Sequence, residues 1–544
     1  MKISKRHSLA ELPPVWEAAA ALLLLAGYCW IQLRGLLLPG VYGDEALDGV
    51  QAQQLIRAGF HHLRAWPLFK SGYHGALQAY LLAPFFLLIK DPFAALRIGE
   101  FVFSLAVITT AYLCARRFFN STAAVFVLLL LLANPSFIYR SRISIAHAGV
   151  MAAFYLGALL CLQAWRRSGK NRHLYAAAFL AGAGFCLRLW FYWFYAGLLL
   201  AAIIFRREAV KALRRRPMLP QLGGAALFFL LGAALYIIKE ALGQGTELFG
   251  FGLAHLHYGD RGTDNFMVLG NLATRFHQFI GELYGEMLSG FPNYPFDHRW
   301  NLMRAAAVSY GVLLAISIFC LVAQAEDRYR RNAVFFSLLL LGMFLPSGFT
   351  LSNLTPEHVF ILFPLPQILM GAAAYLLLEN VLTRKRFWKA SCLGLALFAA
   401  APVFYIWEFS HMENFLDRTG GTSYYSDANV QMVRWLESRH YLSPKNCDQR
   451  LDFALRLLSN ERITPVSCWP SQRRRTAAEF FSGCAGSENV YLFVSPNPNL
   501  PGQSTLPYFS ALLAGAGKTF EPQKVFRRRD GVPVYAVYSL VERK

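Results

Sequence analysis

WEAAAALLLLAGYCWIQLRGLLLPGVYGDEALDG, residues 16–49, holds the two features on which the reading of the chain turns. Its first part, 16–38, is an apolar run long enough to cross a hydrocarbon core roughly 30 Å thick. It follows the basic tip KISKR, exceeds the apolar region of a signal peptide and lacks a small-residue cleavage site, so it reads as an uncleaved first span. Its second part sets Asp44, Glu45 and Asp48 at the start of an amphipathic helix just beyond the membrane surface, where carboxylates suit the positive end of the helix dipole.

Runs of similar character recur at 97–115, 121–139, 145–165, 173–187, 190–205, 221–239, 302–323, 332–350, 357–379 and 388–407, giving about eleven crossings. Composition agrees: of 544 residues 56% are hydrophobic and only 16% charged, against roughly 25% in soluble domains. The fold class is a polytopic α-helical membrane protein of about 11–13 transmembrane helices. The segment 75–90 is short for a span and is expected to be re-entrant or to lie on the membrane surface. The net charge of +21 would raise nucleic acid as a partner in a soluble protein. Here the basic residues gather in short tracts between apolar runs, such as RRSGKNR at 166–172, RREAVKALRRR at 206–216 and RYRR at 328–331. By the positive-inside rule these are cytoplasmic loops, so the charge is topological and the bilayer, not nucleic acid, is the partner. With this topology the N-terminus is cytoplasmic, and 39–74, 240–301 and everything after 407 lie on the opposite side.

The division expected is a membrane domain, 1–407, with outer loops 39–74 and 240–301, and a small extracytoplasmic α/β domain, 408–544. In the tail, SDANVQMVRWLESRH opens a helix from Ser426, ITPVSCW and NVYLFVSP are strand-like, and KVFRRRDGVPVYAVYSLV reads as a hairpin around Asp530-Gly531. Cys447, Cys468 and Cys484 lie in the tail, where an oxidising compartment would permit one disulfide and leave one thiol. No zinc-binding spacing and no Walker or GxGxxG phosphate loop occurs, which argues against ATP-driven transport by this chain alone.

Cationic and hydrogen-bonding residues recur at span edges that this topology puts on the outer side with Asp44. Lys70 and His74 close the first outer loop, Arg140 and Arg142 stand in NPSFIYRSRISIAH, and His147 lies one turn beyond. Arg188 sits at the tip of FCLRLWFYWFY, and Glu357 and His358 begin the span in LTPEHVFILFPLP. Cations gathered near one acidic group can clamp a phosphate while the carboxylate takes a proton from an acceptor hydroxyl. Trp190, Tyr192 and Trp193 could stack on sugar faces or form an interfacial aromatic belt. The loop 240–301 is expected to lie over the outer mouth and help choose the acceptor.

These residues resemble a family. GDEA in the first outer loop, FKSGYHGALQAYL entering the membrane, DPFAALRIGEFVFSL, the YRSR tract and PEHVFILFPLP are similar, in order and arrangement over about 10–410, to the GT-C superfamily of membrane glycosyltransferases. Within it they look most like the branch containing protein O-mannosyltransferases and the lipid A aminoarabinose transferase. The resemblance implies a hexosyl- or pentosyltransferase that takes its sugar from a polyprenyl-phosphate donor on the extracytoplasmic face of a bacterial inner membrane. The acceptor would be a glycolipid, polysaccharide or protein. On that pattern Asp44 is the catalytic base with Glu45 beside it, Lys70 or His74 contacts the donor phosphate, and Asp48, Arg140, Arg142, His147, Arg188, Glu357 and His358 serve substrate binding. The chain departs from the pattern in reading Tyr73-His74-Gly75 where relatives often have Lys-Pro, and Glu357-His358 where they often have Arg-Tyr. Some GT-C enzymes use Mg²⁺ or Mn²⁺ and others use no metal; Asp44, Glu45 and Asp48 could supply oxygen ligands, and spacing alone assigns none. The competing class is a transporter or flippase of lipid-linked or anionic solutes, which predicts charges deep in several spans and an internal repeat.

Overall fold

The computed structural model describes residues 12–59, 69–71, 74–143, 148–207, 218–241, 257–258, 263–264, 267–284, 300–350, 356–383, 388–448, 451–468, 488–494 and 504–543. The membrane part comprises α1 (Pro14–Arg34), α2 (Gly43–Ala58), α3 (Leu77–Leu88), α4 (Pro92–Phe118), α5 (Ser121–Ala133), α6 (Pro135–Arg142), α7 (Ala148–Ser168) and α8 (Asn171–Leu187). It continues with α9 (Tyr192–Ile204), α10 (Met218–Gly232), α11 (Ala234–Ala241), α12 (Val268–Tyr284), α13 (Trp300–Gln324), α14 (Asp327–Phe344), α15 (Leu365–Leu382) and α16 (Trp388–Thr419). Each of the eleven apolar runs carries helix. Among the described residues six helices are long and apolar enough to cross a membrane, and α5 with α6 forms an apolar pair bent by 65° at its break. Four shorter apolar helices accompany them. The protein is thus a multi-pass membrane protein. At 12 residues α3 is only about 18 Å long, too short to cross.

Two details of the bundle bear on function. The bend between α5 and α6 falls at Asn134-Pro135: Pro135 starts α6, and the Asn134 carboxamide accepts from the Phe137 N–H at 2.8 Å while donating to the Leu283 carbonyl at 2.8 Å. A new helix therefore begins where a straight span would have continued, and its C-terminus carries Arg140 and Arg142 back among neighbouring helices. The second detail is the crossing of α8 and α10. A Cβ on Gly182 would stand 2.1 Å from the Phe229 carbonyl oxygen, and one on Gly232 would stand 2.2 Å from that of Phe179, so the two backbones touch reciprocally.

Helix α16 runs unbroken past 407 to Thr419, and the chain turns at Gly420 and Gly421, whose φ angles of 71° and 97° suit glycine. The compact small domain starts after that turn, later than the end of the apolar run at 407, because the polar extension of α16 keeps helical hydrogen bonding beyond the membrane. This domain contains α17 (Ala428–Ser438), α18 (Asp452–Leu458) and α19 (Leu506–Ala514) on a five-stranded sheet ordered β6-β5-β7-β9-β8. Its strands are β5 (Lys445–Asn446), β6 (Val466–Ser467), β7 (Tyr491–Val494), β8 (Lys518–Arg527) and β9 (Pro533–Glu542), with β5 parallel to β6 and β7, and β9 antiparallel to β7 and β8. The β8–β9 hairpin turns at Asp530-Gly531, as the sequence predicts. Leu492 and Val494 face a cluster containing Met432, Leu436 and Leu455, while Tyr491 and Phe493 face Phe509 and Leu513. Alternation along one buried strand thus serves both layers of helix. Cys468 is disulfide-bonded, Cys447 is a free thiol, and Cys484 lies outside the described residues. Burial pushes the Cys447 thiol well up, which makes it inert as a nucleophile.

The glycine contact predicts that Gly232→Ala destabilises the detergent-solubilised protein by about 1–3 kcal/mol, because the added methyl meets backbone. Gly223→Ala on the same helix, where a Cβ meets nothing within 4 Å, is expected to stay within about 0.5 kcal/mol of wild type. Thermal or denaturant unfolding of the two variants side by side checks the difference.

Candidate active site

Helix α2 begins just beyond the C-terminal end of the first apolar helix, α1, and its first turn decides what each acid can do. Glu45, at the third helical position, accepts from the Tyr42 N–H at 2.8 Å and so caps the helix. The same oxygen lies 2.9 Å from the Arg97 guanidinium, and both side chains are fully buried. Arg97 also donates to the carbonyls of Pro39, at 3.1 Å, and Arg142. Arg142 in turn donates to the Ile31 carbonyl at 2.9 Å and the Gln32 side chain at 3.1 Å, and pairs with Glu413 of α16. Four helices and the 35–42 connection are therefore tied to the start of α2 by two guanidiniums. Each charge in the cluster meets an opposite charge or a carbonyl, as burial requires.

Of the three carboxylates on α2, Asp44 alone is exposed; Glu45 and Asp48 are buried. Asp44 and Asp48 are one turn apart, yet Asp48 is fully buried, and next to it the small domain packs on α2. Leu457 of α18 packs on Gly49, and Ala454 and Leu457 share an apolar cluster with Val41, Ala46 and Val50. Arg57 at the far end of α2 donates to the Asn460 carbonyl at 2.6 Å and pairs with Glu461 at 3.3 Å, while Asn429 donates to the Val41 carbonyl at 2.8 Å.

The other predicted residues separate into groups. Lys70 and His74 lie on a hairpin of β1 (Phe69–Ser71) and β2 (His74–Gly75). β2 rests on the end of α8, with Gly75 directly against the Cys186 carbonyl, which a Cβ would overlap. Two residues beyond Cys186, Arg188 reaches His358 with 3.0 Å between Nη2 and Nε2, and Trp190 meets the His358 ring edge-on. Arg140 pairs with the buried Glu282 of α12 at 2.6 Å, which brings the helical part of the 240–301 loop into the bundle. Its hairpin of β3 (His257–Tyr258) and β4 (Thr263–Asp264) precedes that helix. His147 lies outside the described residues, as does the side chain of Glu357. Arg97, the end of α6 and Arg188 occupy the same end of the bundle, because the tight connections at 119–120 and 169–170 close the opposite one.

Arg142, a sequence candidate for phosphate contact, is thus placed in the buried cluster, and Glu45 serves as cap and ion-pair partner. Sequence reasoning missed Arg97, Glu282 and Glu413. Only Arg97 carried a signal, as a lone cation in an apolar span three residues before Glu100. Among the described residues no group of three His, Cys, Asp or Glu side chains could hold a metal ion.

Comparisons with known proteins bear on this geometry. Residues 73–237 match the family model described as dolichyl-phosphate-mannose-protein mannosyltransferase. Comparison with curated protein sequences finds no match. Among solved structures, that of ArnT from Cupriavidus metallidurans, bound to undecaprenyl phosphate, is similar with a TM-score of 0.59 at 13% identity, over 95% of this chain and 98% of that one. The apo oligosaccharyltransferase of Archaeoglobus fulgidus gives a TM-score of 0.49 at 12% identity, over 84% of this chain and 65% of that one. The likeness to ArnT establishes the fold, which is the GT-C fold of membrane glycosyltransferases. With the mannosyltransferase match in sequence, the class defined is a GT-C-type membrane glycosyltransferase.

Removing one partner of a fully buried ion pair strands the other, so Glu45→Gln is expected to cost about 3–5 kcal/mol. Adding Arg97→Met to Glu45→Gln is expected to recover part of that loss, as unfolding of the single and double variants would show. The cover over α2 makes a separate prediction. Leu457→Ala should cost about 2–4 kcal/mol and speed amide exchange in 43–58 while leaving the β8–β9 hairpin protected, read by hydrogen-exchange mass spectrometry.

Proposed function

We propose that the protein transfers a sugar from a polyprenyl-phosphate donor to an acceptor hydroxyl on the extracytoplasmic side of a bacterial inner membrane, with Asp44 as general base. The observation that carries this reading is the exposure of Asp44 on a helix start whose neighbouring acids are buried. A base needs access to its proton and a fixed position, and the Glu45–Arg97 pair supplies the second while leaving the first. In the reaction the acceptor oxygen bonds to the anomeric carbon, its proton passes to the Asp44 carboxylate, and the sugar–phosphate bond breaks with its electron pair on the departing phosphate. That phosphate gains charge, which suits the cations carried at the same end of the bundle by the β1–β2 hairpin and by Arg188 beside His358. Lys70, His74, Arg188 and His358 are its proposed contacts, and Arg140 with Glu282 ties the adjacent loop to this end.

Three further observations support the assignment. ArnT, similar in fold over nearly its whole length, was captured with undecaprenyl phosphate, the lipid half of such a donor. The disulfide at Cys468 suits an oxidising compartment, which favours an extracytoplasmic small domain and hence a cytoplasmic N-terminus. Among the described residues the basic tracts at 166–172 and 328–331 fall at the ends of their helices away from Asp44, which supports that orientation by the positive-inside rule. The 240–301 loop, anchored through Glu282, is the proposed acceptor-selecting element.

Transfer of labelled sugar from a panel of polyprenyl-phosphate sugars by purified wild type and Asp44→Asn tests the proposal. The variant keeps the size of the side chain and removes the base, so kcat is expected to fall by about 10²–10⁴ with an unchanged unfolding midpoint. Equal turnover by the variant would remove Asp44 from the mechanism. Movement of labelled lipid across a reconstituted bilayer without consumption of donor would replace transfer by transport.

A further inference from the structure

At the end of the bundle away from Asp44, arginines surround a cavity that the transferase reading does not use. From Arg97, which pairs with Glu45, to Arg116 on the same helix is nineteen residues, about 28 Å at the rise of an α-helix and close to the thickness of a hydrocarbon core. There Arg116 and Arg117 of α4, Arg167 of α7 and Arg328 of α14 line a pocket of about 630 Å³ together with Glu17 of α1. Glu17 is fully engaged: Arg116 pairs with it at 2.7 Å and the Tyr112 hydroxyl donates to it. Among the described residues Arg117, Arg167 and Arg328 have no carboxylate partner. Arg167 is nevertheless held in place, donating to the Arg117 carbonyl at 3.1 Å.

Topology alone explains basic residues at this surface but not their convergence on a concavity, where like charges raise one another's energy. A second cavity explains the arrangement further. A groove of about 390 Å³ runs between α7, α9 and α14, floored by Leu159, Leu162, Leu198 and Phe335, and Arg328 lines both it and the basic pocket. Arg166 and Arg331 stand at the groove as well. One continuous site therefore offers guanidiniums to an anion and, beside them, an apolar channel open along the bundle. A soluble phosphate would use only the first part. The geometry points to a binding site for an anionic phospholipid of the leaflet opposite Asp44, with its phosphodiester among Arg117, Arg167 and Arg328 and one acyl chain in the groove. This site is independent of the assignment of Asp44.

Native mass spectrometry of the full-length protein in detergent, with phosphatidylglycerol and phosphatidylethanolamine of matched chains, tests it. Phosphatidylglycerol adducts are expected to outlast phosphatidylethanolamine adducts by about tenfold, and the triple variant Arg117→Gln, Arg167→Gln, Arg328→Gln should lose that preference. Ala202→Trp fills the groove from an exposed position while keeping every arginine, and should weaken phosphatidylglycerol retention without any change in charge. Equal retention of the two lipids by wild type, or an undiminished preference in both variants, would overturn the proposal. Displacement of phosphatidylglycerol by millimolar inorganic phosphate or glycerol phosphate would also overturn it, by assigning the arginines to a soluble anion.

Discussion

A carboxylate and a guanidinium sealed together from solvent, Glu45 and Arg97 at 2.9 Å, set the position of the start of α2 and of the elements packed around it. Without a partner either charge would cost several kcal/mol to bury. Together, with the Tyr42 N–H donating to Glu45 and the carbonyls of Pro39 and Arg142 accepting from Arg97, they fix where α2 starts and how it is turned. Position 44 then faces out while 45 and 48 face in. The same rotation leaves Asp44 as the carboxylate open to solvent, since positions 43 and 45 are buried.

The small domain extends this constraint. It is joined to the bundle by an unbroken helix, α16, which also supplies Glu413 to Arg142. Its α18 lies on α2 through Leu457 and Gly49, and Arg57 locks the far end of α2 to Asn460 and Glu461. The first turn of α2 is therefore held from within the bundle and its remaining turns from the small domain. At the other end of the bundle, among the described residues, Glu17 is the one carboxylate in the arginine pocket, and it pairs with Arg116.

Much of the fold was legible because its signals are local. Apolar runs mark the helices of the bundle, Asp530-Gly531 marks a hairpin, and Asp44 with Glu45 marks a helix start. The site was legible only in part, because burial and pairing are long-range. Asp44 and Asp48 read alike in sequence and differ only in burial, which the packing of distant segments decides. Arg140 and Arg142 read as a pair of surface cations, whereas the 65° bend at Asn134-Pro135 carries Arg142 into the cluster around Arg97. Glu282 and Glu413 could not be singled out, since each is defined by a partner more than a hundred residues away. The pairing of Arg188 with His358, 170 residues apart, was reachable as two candidates on one side of the membrane but not as a contact.

The claim on which the account rests is that the buried pair presents position 44 outward and keeps position 48 covered. Labelling of Asp44→Cys and Asp48→Cys by a membrane-impermeant maleimide added to the extracytoplasmic side, in a background with the native free cysteines replaced by serine or alanine, measures that directly. The account predicts rapid labelling at 44, at least about tenfold slower labelling at 48, and erosion of the difference when Arg97→Met is added. Equal labelling at the two positions, or labelling at 44 only from the opposite side of the membrane, would contradict it.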